Sequence, residues 1–156
     1  MPAQKPGKSR QDYGTPEAFI NAVIKRFGPL ACDLAATREN SKAPYLYKPS
    51  MDSLKYPWAI SFPTGNLWLN PPFENIGVWA EKCALESLKR AGSILFLTPA
   101  SIGTEWFAQW VEPYAHVIGL RPRLTFEGCK DPYPKDLILS VYSAGLRGFS
   151  TWRWDK

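Results

Sequence analysis

Four consecutive residues, Asn70-Pro71-Pro72-Phe73, follow the apolar run Leu67-Trp68-Leu69 and bring together groups that could do chemistry. The amide oxygen of Asn70 and the carbonyl of Pro71, whose direction Pro72 fixes, are two acceptors on a stiffened piece of chain. Phe73 adds an aromatic face. Together they can accept both hydrogens of one NH2 group and stack on the ring that bears it. The exocyclic amine of adenine suits such a pocket. Its lone pair is delocalised into the ring, and two acceptors on its protons favour the pyramidal form that can attack. The electrophile must then be strong and need no powerful base. A sulfonium methyl donor, which carries its own leaving group, meets that requirement. A neutral asparagine suffices, because the amine proton becomes acidic only as the new bond forms. An RNA base or a glutamine side-chain amide presents a planar NH2 of similar shape, so these targets stay open.

The elements around the tetrapeptide follow from apolar patterning and punctuation. Leu67–Leu69 reads as a buried strand that delivers the proline-stiffened loop to a surface. Upstream, Thr15 and Pro16 precede EAFINAVIKRF, a predicted helix with Thr15 as N-cap, Pro16 at its first position and Gly28 as its end. The run LACDLAA that follows predicts a buried strand with Asp33 emerging at its end. Residues 37–65 read as a long loop rich in Pro, Ser and Asn, holding Asp52-Ser53-Leu54 and Trp58, and a loop of that length points to function. After Asn70–Phe73 the pattern predicts a helix over 77–90 closed by Gly92, and a buried strand SILFLTP. A helix capped by Ser101 or Thr104 follows, then strands HVIGL, RLTF, LILSVYS and STWRW. Alternating strands and helices followed by strands alone predict an α/β fold, a mainly parallel sheet with an antiparallel C-terminal edge. In such sheets ligands bind beyond the carboxyl ends of the strands, where both Asp33 and Asn70 stand.

Length and composition narrow the classes. A chain of 156 residues fits one domain, predicted over 12–156 behind a flexible basic arm at 1–11 that has no signal-peptide core. The longest apolar run is far too short to span a membrane. Three cysteines without C-x-x-C spacing support neither a disulfide framework nor a zinc cluster, and a reducing cytoplasm is the expected setting. The single histidine, His116, lies within an apolar run and reads as a core-edge residue, which disfavours triads and histidine-metal chemistry. A net charge of +5 points toward a polyanionic partner.

The tetrapeptide resembles the D/N-P-P-Y/F motif of amino-methyltransferases that use S-adenosylmethionine. A longer ordered series sharpens the likeness. It begins with Asp12-Tyr13-Gly14-Thr15-Pro16, Cys32-Asp33-Leu34-Ala35-Ala36 and Glu39-Asn40-Ser41-Lys42, passes Asp52-Ser53-Leu54 and Trp58, and reaches Asn70-Pro71-Pro72-Phe73. It continues through Leu97-Thr98-Pro99-Ala100 and Trp106-Phe107 to Leu120-Arg121-Pro122-Arg123-Leu124-Thr125-Phe126. In order and spacing this is similar to the small phage-type DNA N6-adenine methyltransferases, the phage Dam family, over about residues 12–143.

The resemblance implies a compact Rossmann-like methyltransferase fold and a metal-free transfer of methyl from S-adenosylmethionine to a flipped adenine in duplex DNA. It implies a cofactor site using Thr15 and Pro16 near the methionyl end, Asp33 in place of the usual acid of a glycine-rich loop, and Asp52 toward the cofactor adenine. Asn70, Pro71, Pro72 and Phe73 would hold the target base. No G-x-G follows the first strand; Leu34-Ala35-Ala36 stands there, and Glu39 is the candidate for the ribose hydroxyls. Arg121, Arg123, Lys130 and Lys135 are the expected DNA-binding residues, with phosphate contact favoured over guanine readout. With no segment long enough for a separate recognition domain, recognition falls to loops 37–65 and 121–136 or to a second subunit, so monomer and homodimer both fit. The expected setting is the cytoplasm of a bacterial host, from a phage or prophage gene. The other reading is a non-catalytic nucleic-acid-binding module of the same fold.

Overall fold

The computed structural model describes residues 14–156; the basic arm at 1–11 and Asp12-Tyr13 lie outside the described residues. The strands are β1 (Leu30–Asp33), β2 (Tyr45–Leu46), β3 (Asn66–Leu69), β4 (Ile94–Pro99), β5 (His116–Arg121), β6 (Leu137–Tyr142) and β7 (Gly148–Arg153). The helices are α1 (Glu17–Phe27), α2 (Trp58–Ser61), α3 (Ile76–Ser87) and α4 (Glu105–Trp110). The strands form one sheet in the order β2-β1-β3-β4-β6-β5-β7. All pairings are parallel except the two that β6 makes, with β4 and β5. The fold is the expected mostly parallel, Rossmann-like α/β arrangement. Its antiparallel part is β6, set between β4 and β5, while the outermost strand β7 runs parallel to β5.

Strand alternation sorts the apolar residues onto two faces. Leu67, Leu69, Ile94 and Phe96 point to the side of α3 and α4; Trp68, Leu95 and Leu97 point to the side of α1. On that second side α1 buries Phe19, Ile20 and Val23, and the Phe19 ring stands 6.3 Å from Trp68 and 5.3 Å from Trp154. β6 is buried at every position, as a strand covered on both faces must be, whereas β7 is largely exposed.

Several predicted elements differ in detail. α1 begins after Pro16 and has no side-chain cap, so Thr15 is not an N-cap; Gly28 does end the helix, at φ 100°. The region 37–65 is less loop-like than its composition suggests, because β2, α2 and short 3-10 turns at Pro49–Met51 and Ser53–Lys55 occupy it. It is tied down from α3 and the turn after it. The buried Glu86 accepts the Ala59 N–H at 2.7 Å, and Arg90 donates to the carbonyls of Phe62, Gly65 and Ser93 at 2.9, 2.6 and 3.3 Å. RLTF forms no strand: Leu124 and Phe126 are buried, and the nearby backbone pairs with other segments, Tyr133 N–H to Leu124 and Glu127 N–H to Gly14. The other three predicted C-terminal strands are present, and Thr104 caps α4 by accepting the Phe107 N–H.

Gly92 lies beyond the end of α3 instead of closing it, at φ 86°, and a Cβ there would collide with the Gly65 carbonyl. Gly92→Ala is therefore expected to destabilise the fold by roughly 2 kcal/mol, from left-handed backbone and the lost close approach together. Thermal unfolding would register this as a drop of roughly 4–8 °C in midpoint, and an unchanged midpoint would contradict the contact.

Candidate active site

Since β1, β3, β4 and β5 run the same way, Asp33, Asn70, Pro99 and Arg121 share one rim of the sheet. The 122–136 connection leaves β5 and enters the reversed β6 on that same rim. β2 lies on one side of β1 and β3 on the other, so the strand order switches direction at β1, where open α/β sheets take their ligands. The two strand ends are tied by the Leu34 N–H donating to the Trp68 carbonyl at 2.8 Å.

Asn70 is half-buried, and its Nδ2 donates to the Oγ1 of Thr15 at 3.0 Å. The hydroxyl expected to cap α1 thus meets the amide at the end of β3. Pro71 is buried and Pro72 faces a cavity. The half-buried Phe73 ring meets Phe126 at 6.2 Å and Tyr133 at 5.8 Å, each at 73°, and Phe126 meets Tyr133 at 5.8 Å and 89°. Three rings in mutual edge-to-face contact fix the plane of Phe73. Phe126 stood at the end of the ordered series without a role and Tyr133 outside it; nothing local connects either to residue 73.

Asp33 is 3% exposed. Its Oδ1 accepts the Ala35 N–H at 3.2 Å and its Oδ2 the Lys42 N–H at 3.0 Å. Burial pushes its pKa up to about 7, against the opposing pull of those two backbone donors and the Lys42 charge. The carboxyl braces the 34–42 segment, and that segment forms one wall of a cavity of about 180 Å³. Leu34, Ala35, Ala36, Pro72 and Trp79 make the wall largely apolar, while Thr37, Asn40, Lys48, Asp52 and Ser53 add polar groups. No glycine loop is needed for this course. Among the described residues only Asp52 and Asn75 combine a side chain with positive φ, so the backbone at 34–36 stays in ordinary space.

Asp52 lines the cavity at φ 52°, an uncommon conformation that Asp tolerates, and pairs with Lys55 at 3.5 Å. The next residues are fixed by Trp58, fully buried, whose Nε1 donates to the Ser53 carbonyl at 3.0 Å and Oγ at 3.1 Å. Glu39 is exposed and off the cavity wall; its neighbour Asn40 lines it, accepting the Thr37 N–H at 2.7 Å.

Lys42 joins the two halves of the site. Its side chain is 8% exposed, with Nζ 3.1 Å from Glu127 and 3.5 Å from Glu17. Arg121, Arg123, Lys130 and Lys135 are all exposed around the 122–136 segment. Arg123 is also structural, because its Nε pairs with Asp136 at 3.0 Å and its Nη1 donates to the Pro134 carbonyl at 3.2 Å. His116 contacts the Arg147 carbonyl and the Ser150 hydroxyl, at 2.9 and 2.8 Å, between β5 and β7 and away from the rim residues.

Residues 3–136 match the family described as DNA N-6-adenine-methyltransferase (Dam). The chain belongs to this family. The match covers β1 through β5 and the whole rim segment, stopping one residue before β6. No curated protein matches the chain. Dam-family membership implies an enzyme that methylates the N6 of adenine, with DNA as its substrate. Among the described residues no helix is long and apolar enough to cross a membrane, and no His, Cys, Asp or Glu cluster could hold a metal ion.

The raised pKa of Asp33 has a definite sign for stability. The native state holds this proton more tightly than the unfolded chain, so the contribution is fully present below the ordinary value of 3.8 and is lost as pH rises through about 7. The urea midpoint is expected to fall between about pH 4 and about pH 7 more steeply in the wild type than in Asp33→Asn. Equal slopes would exclude Asp33 as the source.

Proposed function

We propose that this Dam-family chain transfers methyl from S-adenosylmethionine to the exocyclic amine of an adenine flipped out of duplex DNA. The reading is carried by the meeting, on one rim, of the Asn70-Pro71-Pro72 acceptors, a Phe73 ring of fixed plane and a neighbouring cavity that Pro72 shares. Asn70 Oδ1 and the Pro71 carbonyl accept the hydrogens of the target amine and draw its lone pair out of the ring. Phe73 stacks on the base. A base within a duplex cannot reach such a pocket, so it leaves the helix at a cost of a few kcal/mol, offset by stacking worth roughly 1–3 kcal/mol and by phosphate contacts. Arg121, Lys130 and Lys135 serve those contacts, with Arg123 reaching phosphate from its brace on Asp136.

Bound S-adenosylmethionine supplies an electrophilic methyl on a sulfonium that is its own leaving group. The cavity beside Pro72 fits its adenosyl half, with Leu34, Ala35 and Trp79 as an apolar wall and Asp52, Asn40 and Ser53 as polar partners. Asp33 acts by bracing the wall, and Thr15 with Pro16 forms the side nearest Asn70. A cavity formed without a glycine loop favours this reading over a non-catalytic binding module.

Labelled cofactor with duplex DNA, followed by mass analysis of the product, tests the reaction; methyl on an RNA base or a glutamine amide instead of adenine would redirect it. Asn70→Ala is expected to lose at least about 100-fold in kcat, comparable to loss of a key polar group in other active sites. It should stay folded, with a melting point lower by only a few degrees for the lost Thr15 hydrogen bond, and its calorimetric affinity for S-adenosylhomocysteine should stay unchanged. Loss of that affinity would count against the role given to Asn70. Phe73→Ala should raise the KM for DNA roughly tenfold, in line with the loss of one stacked ring. A larger effect on melting than on KM would place the ring in the core and not in the pocket.

A further inference from the structure

Thr15 is 1% exposed, and its hydroxyl does not serve the helix it precedes, since α1 has no side-chain cap. Its Oγ1 instead accepts the Nδ2 hydrogen of Asn70 at 3.0 Å, across 55 positions of sequence. An asparagine amide turns easily about its last side-chain bond, because that torsion is broad. A half-turn exchanges carbonyl for NH2, and an incoming amine would then meet a donor where it needs an acceptor.

We propose that Thr15 is a positioning residue for methyl transfer, anchoring the Asn70 side chain through this hydrogen bond so that Oδ1, the amide atom turned away from Thr15, meets the target amine. The inference rests on the role proposed for Asn70 above. It assigns to Thr15 an action through Asn70, distinct from contact with the cofactor. The threonine is a stiff anchor on every side. Its β-branched side chain has restricted χ1, Pro16 fixes the next φ, and the Pro16 carbonyl already accepts the Phe19 N–H at 3.0 Å. On the other side the Gly14 carbonyl accepts the Glu127 N–H at 2.9 Å, and Glu127 is held by the Lys42 ion pair at 3.1 Å. A Cβ at Gly14 would meet the Glu127 carboxylate, which would have to turn away from its present place. The amide of Asn70 is thereby referenced to α1, to the 122–136 segment and, through Lys42, to the segment that walls the cavity.

The test is steady-state kinetics of Thr15→Val, Thr15→Ser, Asn70→Ala and the Thr15→Val/Asn70→Ala double variant beside the wild type, with DNA and S-adenosylmethionine each varied. Valine keeps the shape and removes the hydroxyl. Thr15→Val is expected to lower kcat about 10- to 100-fold, the range for a residue that orients a reacting group. The loss in kcat should exceed any rise in KM for the cofactor. Thr15→Ser should recover most of the rate, and Thr15→Val should lower the residual rate of Asn70→Ala no further, because the two act as one unit. A wild-type kcat in Thr15→Val, a loss confined to cofactor KM, no recovery by serine, or additive losses in the double variant would each overturn the proposal. Should valine not fold, Thr15→Ala takes its place with the same expectations. No transfer to adenine by the wild type would remove the functional reading itself, whereas an active wild type with an unaffected Thr15→Val removes this inference alone.

Discussion

β3 cannot continue past Leu69, and the architecture of the rim depends on that. It is hydrogen-bonded on one side by β1 and on the other by β4, and its side chains are buried on both faces. Two successive prolines then remove the donors a further ladder would need. The chain must leave the sheet there, at a point set by the core and not by a loop. Asn70 is consequently the last residue before the prolines with an N–H, and it stands as firmly as the strand beneath it. Phe73 packs against the cores on both faces of the sheet and meets Phe126 and Tyr133 on the α1 side.

The parts of this arrangement that sequence made legible are those whose cause is local. Asn70–Phe73 announces itself because prolines after an apolar strand have few structural uses, and Asp33 because an acid in an apolar run needs a reason. The rest depends on contacts between distant segments. A threonine followed by proline and an amphipathic run has the same local signature whether its hydroxyl caps the helix or reaches a strand end. RLTF alternates like a strand, yet its backbone partners come from Gly14 and Tyr133 and not from a sheet neighbour. The cavity wall at 34–53 is held by hydrogen bonds to Asp33 and by the Trp58 indole, neither of which leaves a periodic trace.

The buried charges share a task. Asp33 receives backbone N–H groups from the wall segment, Glu86 receives one from Ala59, and Arg90 donates to the Phe62 and Gly65 carbonyls before β3 and to the Ser93 carbonyl before β4. Backbone in irregular segments must find partners when it is covered, and a short chain has few regular elements to supply them. Charged side chains do so here at points where the connections cross the sheet ends. The sharp course of residues 57–65, including the close approach of Gly65 to Gly92, follows from that anchoring.

The 122–136 segment has a fixed base and an open tip. Leu124, Phe126 and Tyr133 are sunk into the core beneath the Phe73 ring, while Lys130, Asp131, Pro132, Pro134 and Lys135 face solvent. The two parts answer to different constraints, since any change at the base is felt by the ring and the strand end, and a change at the tip is not. Residues 130–132 thus form an exchangeable tip on a rigid mount, where the sequence can vary without disturbing the ring and the strand end beneath.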